Sequence, residues 1–228
     1  MCGRFSLYSS GHELADYFQL GETPVVSPRY NIAPGQEAAF IRPDSGGQGR
    51  SLVFLRWGLI PAWAKNPTVG MINARAETAA EKPAFRRAFR QRRGLLPADG
   101  FFEWPKEGKK TRPYYFQLKN GRPQALAGLW DTWTGPDGES IESCTILTTA
   151  ANDLVGRIHS RMPAIIEPDH FETWLDVESQ NIERLQNLLK PYPAEKMSCY
   201  LVGPYVNNPR NEGPACLEPV TGTQTSLW

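Results

Sequence analysis

The order of strand-like and helical runs is the strongest constraint on what this chain can fold into. Leu52–Trp57, Gly94–Pro97, Tyr114–Leu118, Gln124–Trp130, Ile141–Thr149 and Cys199–Val202 read as strands, with period-two alternation or short apolar centres. Helical spacing is confined to residues near 11–19, 76–91 and 168–190, where Phe85 and Phe89 share one face and Ile182, Leu185 and Leu189 share another. Pro168 suits a helix start, where its missing N–H does no harm. Strands and helices therefore do not alternate, which disfavours a doubly wound parallel sheet. The expectation is an α+β fold of mainly antiparallel strands with a few peripheral helices. The 228 residues fit one domain with a short tail at 220–228, and Ser45-Gly46-Gly47-Gln48-Gly49 reads as a loop tip between two strands.

Composition excludes several classes of function. With 21% charged and 11% aromatic residues and a net charge of +1, the chain is unlike a disordered polymer and has no global field for a polyanion. Basic residues are concentrated locally: Lys82, Arg86, Arg87, Arg90, Arg92 and Arg93, then Lys106, Lys109, Lys110 and Arg112. Such a run is either a solvated face or an electrostatic guide for nucleic acid. No apolar run reaches the roughly 20 residues of a membrane span, and the first residues lack the apolar segment of a signal peptide. A cytoplasmic protein without membrane contact is expected. Cys2, Cys144, Cys199 and Cys216 form no CxxC pair and have no His companions, so neither a metal, a cofactor nor a disulfide framework is expected.

Four residues invite chemistry. Removal of Met1 would leave Cys2 at the N-terminus, with a thiol of reference pKa about 8.5 beside an α-amine of about 7.7–8.0. Such a 1,2-aminothiol can attack a carbonyl through sulfur, or condense through nitrogen to an imine that sulfur closes into a thiazolidine. Glu103 lies in the aromatic run Gly100-Phe101-Phe102-Glu103-Trp104, where desolvation should raise its pKa and suit it to acid–base work; a structural pairing with an arginine is the alternative. His159 follows a strand-like run, whereas His12 and His170 fall in polar helical stretches and read as surface. Asn73 precedes the basic helix, where it or Thr78 could serve as an N-cap.

Seven motifs in register carry a resemblance: Met1-Cys2-Gly3-Arg4-Phe5, Arg29-Tyr30-Asn31-Ile32-Ala33-Pro34-Gly35, Trp57-Gly58-Leu59-Ile60-Pro61-Ala62-Trp63, Asn73-Ala74-Arg75-Ala76-Glu77-Thr78, Gly100-Phe101-Phe102-Glu103-Trp104, His159-Ser160-Arg161-Met162-Pro163 and Val206-Asn207-Asn208. From residue 1 to about residue 219 the chain resembles the SRAP (SOS-response-associated peptidase) family. The resemblance implies a DNA-damage role: recognition of abasic sites in single-stranded DNA and covalent attachment through the N-terminal cysteine. It also implies peptidase-type removal of the preceding residue, with Glu103 as base. By the same resemblance, Cys2, Asn73, Glu103 and His159 would be catalytic. Asn73 would orient Cys2 or the sugar, Glu103 would serve the Cys2 amine, and His159 would act on the sugar ring oxygen and in cross-link release. Arg4, Arg75 and Arg161 would hold flanking phosphates, Pro34 and Trp63 would wedge and stack against bases, and Thr148 would line the site.

Two other classes compete. A class II glutamine amidotransferase also begins Met-Cys-Gly, but the remaining six motifs do not fit it, and a glutaminase assay separates the two. A non-catalytic single-stranded DNA-binding module would leave no adduct on a denaturing gel.

Overall fold

A computed structural model describes residues 2–44, 46, 49–65, 67, 70–105, 112–179 and 181–220. In chain order the elements are β1 (Phe5–Leu7), α1 (Gly11–Phe18), β2 (Arg29–Ile32), β3 (Glu37–Pro43), β4 (Arg50–Trp57), β5 (Asn73–Arg75), α2 (Ala76–Ala79), α3 (Arg86–Gln91), β6 (Arg93–Ala98), β7 (Gly100–Glu103), β8 (Tyr114–Leu118), β9 (Gln124–Thr134), β10 (Ser140–Ala150), β11 (Arg161–Pro163), α4 (Phe171–Leu175), α5 (Ile182–Asn187) and β12 (Met197–Leu201). The fold is α+β with mainly antiparallel pairing, as the sequence pattern requires.

Two sheets organise it. The smaller runs β12-β8-β7-β1-β2, all antiparallel. The larger runs β10-β4-β3-β6-β9, and β9 pairs back onto β10, so this sheet closes on itself. Towards its C-terminal end β10 also carries parallel β5 and antiparallel β11. Closure demands close approach of side chains inside. Gly94 and Gly128 are partners across β6 and β9, and the Phe40 ring lies where a Cβ on either would go. A side chain at either position would displace that fully buried ring. One apolar core joins both sheets, with Phe5 edge-on to Trp57 at 5.1 Å and Phe18 stacked on Phe171 at 5.4 Å.

The helices are short for identifiable reasons. α1 opens with a capping box, in which Glu13 N–H donates to Ser10 Oγ at 3.3 Å and Ser10 N–H to Glu13 Oε2 at 2.7 Å, and it ends at Gln19 in the left-handed region. The helix expected over 76–91 is two pieces, α2 and α3. Pro83 lies between them, lacking an N–H and disfavouring helical geometry at Lys82. The helix expected over 168–190 is likewise interrupted: a 3₁₀ turn at Pro168–His170 leads into α4, and α5 starts afresh where Asn181 accepts Arg184 N–H at 2.9 Å. Buried Arg93 collects the carbonyls of Trp174, Asp176 and Ser179, which ends α4.

The expected loop tip at Ser45–Gly49 joins β3 to β4, closed by Asp44 N–H donating to Gly49 O at 3.0 Å. Ser45, Gly47 and Gln48 themselves lie outside the described residues, as do Met1, Lys106, Lys109, Lys110 and 221–228. Among the described residues no helix is long and apolar enough to cross a membrane.

Candidate active site and nucleic-acid interface

The short strand β1 fixes the start of the chain. Phe5 pairs with Phe101 and Ser6 with Gly100 on β7, and Phe102 N–H donates to Arg4 O at 2.9 Å. This register carries Cys2 alongside Glu103, the last residue of β7. Cys2 is completely buried, and Asn73 Nδ2 donates to its carbonyl at 2.8 Å. Asn73 lies on strand β5 rather than at a helix N-cap; the cap position of α2 belongs to Arg75, without a side-chain cap bond. Burial pushes the Cys2 thiol well above its ordinary range, and the Glu103 carboxylate reinforces that. The thiol is thus not partly ionised near neutral pH, as its reference pKa alone suggests. Glu103 is itself buried at 4% exposure. Burial pushes its carboxyl up, opposed first by the positive charge of the chain terminus and then by His159. His159 Nδ1 accepts Arg161 N–H at 3.0 Å. The same Nδ1 lies 3.2 Å from Arg161 O, so it faces both a donor and an acceptor; when it accepts from the amide, the proton of the neutral ring sits on Nε2.

The basic residues differ sharply in setting. Thr148 on β10 pairs with Arg75 on β5 and Pro163 on β11. Thr148 is buried and its Oγ1 donates to Ala74 O at 3.2 Å, while Arg75 is exposed. Arg161 makes a two-pronged ion pair with Glu77 at 2.6 and 2.8 Å and donates to Thr148 O. The backbone of Arg161 on His159 and its side chain on Thr148 link the Cys2 group to this strand end. Arg4 Nη1 donates to Asn31 Oδ1 at 2.6 Å and Val206 O at 2.9 Å, with its guanidinium 5.6 Å from the Trp104 ring centre. Desolvation lowers its pKa.

The basic run at 82–93 divides. Arg86, Arg87 and Arg90 are exposed, but Arg93 is fully buried among backbone carbonyls and Arg92 pairs with Asp131. Those last two are therefore no part of an electrostatic guide. Charge runs count residues and cannot tell which face of a strand each occupies.

Pro34 and Trp63 project from loops anchored at one end of β4. Gly35, at φ +84°, donates its N–H to Trp57 O at 2.7 Å, and this tight turn leaves Pro34 exposed. The Trp63 loop is closed at its base by paired hydrogen bonds between Leu59 and Met71 at 3.0 and 2.9 Å. Gly58, at φ +135°, permits the backbones of Gly58 and Gly70 to touch there. Three side chains then grip the loop: Ser143 Oγ accepts Ile60 N–H at 2.9 Å, Asp131 Oδ2 accepts Ala62 N–H at 3.1 Å, and Trp133 Nε1 donates to Ala64 O at 2.7 Å. The Trp63 side chain between these pins is 67% exposed. Sequence reasoning missed this grip, and it missed Asn31, whose buried amide donates to the carbonyls of Val206, Asn208 and Asn211 and binds the late chain onto β2. A lone acid in the apolar run of β9 was the available signal for Asp131.

The comparisons with known proteins agree with one another. The family model for SOS response associated peptidase (SRAP) matches residues 1–209. The abasic site processing protein YoqW of Bacillus subtilis is 41% identical over 224 residues, spanning 96% of this chain and 99% of the relative. The abasic site processing protein YedK of Escherichia coli is 31% identical, spanning 96% and 100%, and HMCES of Xenopus tropicalis, of the same description, is 31% identical, spanning 90% and 70%. A crystal structure of a protein from Bacteroides thetaiotaomicron matches with a TM-score of 0.83 at 27% identity, covering 96% of this chain and all of that one. On this sequence match over nearly its whole length, and a fold shared with a solved structure, the chain belongs to the SOS response associated peptidase (SRAP) family.

Proposed function

We propose that this protein processes abasic sites in single-stranded DNA by joining covalently to the ring-opened sugar through Cys2, once Met1 is removed. The observation that carries the reading is a fully buried Cys2 beside a buried carboxyl, with its carbonyl held by Asn73. The relatives named as abasic site processing proteins support the substrate class.

The His159 Nε2–H donates to the sugar ring oxygen and favours the open aldehyde. The Cys2 amine attacks C1′, a proton passes from nitrogen to oxygen, and loss of water leaves an imine. That imine is an electron sink which would promote β-elimination and strand breakage. Sulfur then adds to the imine carbon. Because burial disfavours a free thiolate, Glu103 takes the S–H proton as the C–S bond forms and returns it to nitrogen, giving a thiazolidine with no net change in protons. Exposed Arg75, together with Arg161, holds flanking phosphates, while Pro34 and Trp63 meet unpaired bases. The wedge and the stacking face argue for single strands, since neither reads a paired groove.

The test is incubation with an abasic oligonucleotide, followed by denaturing electrophoresis and intact-mass measurement. The expected product is a heat-stable adduct whose mass equals the chain without Met1 plus the oligonucleotide less one water. It should form faster on a single strand than on a matched duplex. No heat-stable adduct on any abasic strand overturns the reading; equal rates on both substrates overturn only the single-strand preference.

A further inference from the structure

The Arg161 guanidinium already holds an anion. Nη1 donates to Glu77 Oε1 at 2.6 Å and Nη2 to Oε2 at 2.8 Å, the parallel two-bond geometry that a guanidinium also offers to phosphate. The two partners are unequally fixed. Arg161 stands on β11, its Nη2 is tied to Thr148, and its side chain is 17% exposed. Glu77 stands on the single turn of α2 and its side chain is 50% exposed. If one partner moves, it is Glu77. On its other side Glu77 lines a cavity of about 350 Å³ shared with Thr149, Gln186 and Lys190. Lys190, an exposed basic residue, thus lines the same cavity as Glu77. The hydrogen bond from Arg161 holds the Glu77 carboxyl below the usual range, so Glu77 stays ionised wherever the protein is folded near neutral pH.

We propose that Glu77 is a resident competitor for the DNA phosphate at Arg161, and that a bound strand displaces its carboxylate towards Lys190. The proposal rests on the phosphate-holding role given to Arg161 above. Its consequence is a strand affinity set below what the arginines alone would give. It also makes that affinity less sensitive to salt, because the carboxylate that gives up Arg161 is only partly neutralised by the exposed Lys190 and takes up cation from solution, offsetting the cation that the phosphate sets free. Such a device suits a protein that must leave undamaged single strands and react only where an aldehyde is present.

The experiment measures equilibrium binding to an undamaged single-stranded oligonucleotide at several salt concentrations. Glu77→Gln keeps the shape of the side chain and removes its charge. It should bind about two- to five-fold tighter, the range of a partly exposed ion pair. Its plot of log affinity against log salt should steepen by up to about 0.7, one single-strand phosphate. Lys190→Ala should weaken binding in the wild-type background and change nothing in the Glu77→Gln background. Glu77→Ala, with a thermal melt on each variant, repeats the test should the amide form a new bond to Arg161. Unchanged or weaker binding by both folded Glu77 variants overturns the competitor role. An equal loss from Lys190→Ala in both backgrounds overturns the exchange, since Lys190 would then touch DNA directly. If Arg161→Ala binds as tightly as wild type, the phosphate role of Arg161 fails and this inference with it; if only the Glu77 arm fails while cross-linking is normal, the proposed function stands.

Discussion

Asp131→Asn is the sharpest probe of how the exposed Trp63 is held in place. Asp131 is 5% exposed, and both of its oxygens face donors. Oδ2 accepts Ala62 N–H at 3.1 Å, while Oδ1 accepts Thr132 N–H at 2.9 Å and Arg92 Nη1. An amide has only one oxygen, so its NH₂ must face an N–H whichever way it turns. The cheaper orientation keeps oxygen towards Arg92 and Thr132 and sacrifices the bond to Ala62. Losing a buried hydrogen bond to a charged acceptor costs about 1.5–3 kcal/mol. Reducing the Arg92 ion pair to a neutral contact adds about 0.5–1 kcal/mol, because Arg92 is 21% exposed and partly screened. The expected loss is about 2–4 kcal/mol, read as a lower urea midpoint with an unchanged m-value. The functional arm is a double-mutant cycle on single-strand affinity. If the bond to Ala62 matters by presenting Trp63, Asp131→Asn weakens binding in the wild type but adds nothing to Trp63→Ala. A stability loss below about 1 kcal/mol would refute the hydrogen-bond count, and additive affinity losses would refute the clamp.

Three further outcomes are expected. Glu103→Gln should be more stable than wild type at neutral pH: burial raises the folded-state pKa of Glu103, so the folded chain holds a proton that the unfolded chain releases, and stability falls as pH rises through that interval. The advantage of the variant should vanish in urea melts below about pH 4, the unfolded carboxylate range, and a variant less stable than wild type at neutral pH contradicts the sign. Asp99, raised by burial in the same direction, is common to both proteins and cancels. Cys2→Ser keeps an amine but has no thiol, so borohydride should trap an imine and some strand cleavage should persist; a full-yield heat-stable adduct from it rules out thiazolidine closure. Arg93→Met should cost about 3 kcal/mol or more, since it takes the Arg93 donors from the carbonyls of Phe89, Arg90 and Trp174, while Asp176 O keeps the Ser179 N–H at 3.1 Å; a melt within error of wild type would show that water reaches them.

The legibility of this fold follows element length with one exception, β3, whose seven residues sequence reasoning missed because its apolar centre Ala38-Ala39-Phe40-Ile41 shows no alternation and opens on two alanines of low strand propensity. β4, β6, β8, β9, β10 and β12 are five residues or longer, enough for alternation or an apolar run to register. β1, β5 and β11 have three residues each, and no period can be established over three positions. Their strand state is imposed by the partners β7 and β10, which only the tertiary fold brings near. These are the strands that hold the start of the chain beside Glu103, place Asn73 and Arg75, and carry Arg161. Cys2, Asn73, Arg75, Glu103 and Arg161 were therefore legible as chemistry and as a family pattern before the strands that position them were, whereas Thr148 lies on β10, which the pattern did show. Arg93 is the converse case. Its charge was plain in the sequence, but its burial against α4 reverses the meaning of that charge.

The two sheets divide the proposed reaction between them. β1 and β7 of the smaller sheet bring the nucleophile and the carboxyl together. β5, β10 and β11 of the larger one supply Asn73, Arg75, Thr148 and Arg161, and the Asn73 bond to Cys2 O crosses between the sheets. Burying Cys2 at this junction raises its pKa and makes a free thiolate scarce, which is a poor arrangement for a nucleophile that must ionise before it attacks. It suits ring closure on an imine. There the proton leaves sulfur as the bond forms, and a carboxylate made more basic by the same burial is the better acceptor for it. The same dry surroundings disfavour attack of water on the imine, the step that competes with closure. On this account the high thiol pKa and the raised Glu103 pKa are a matched pair produced by one cause. A substitution that opened the junction to water would make the thiol more acidic and still slow the formation of a stable adduct.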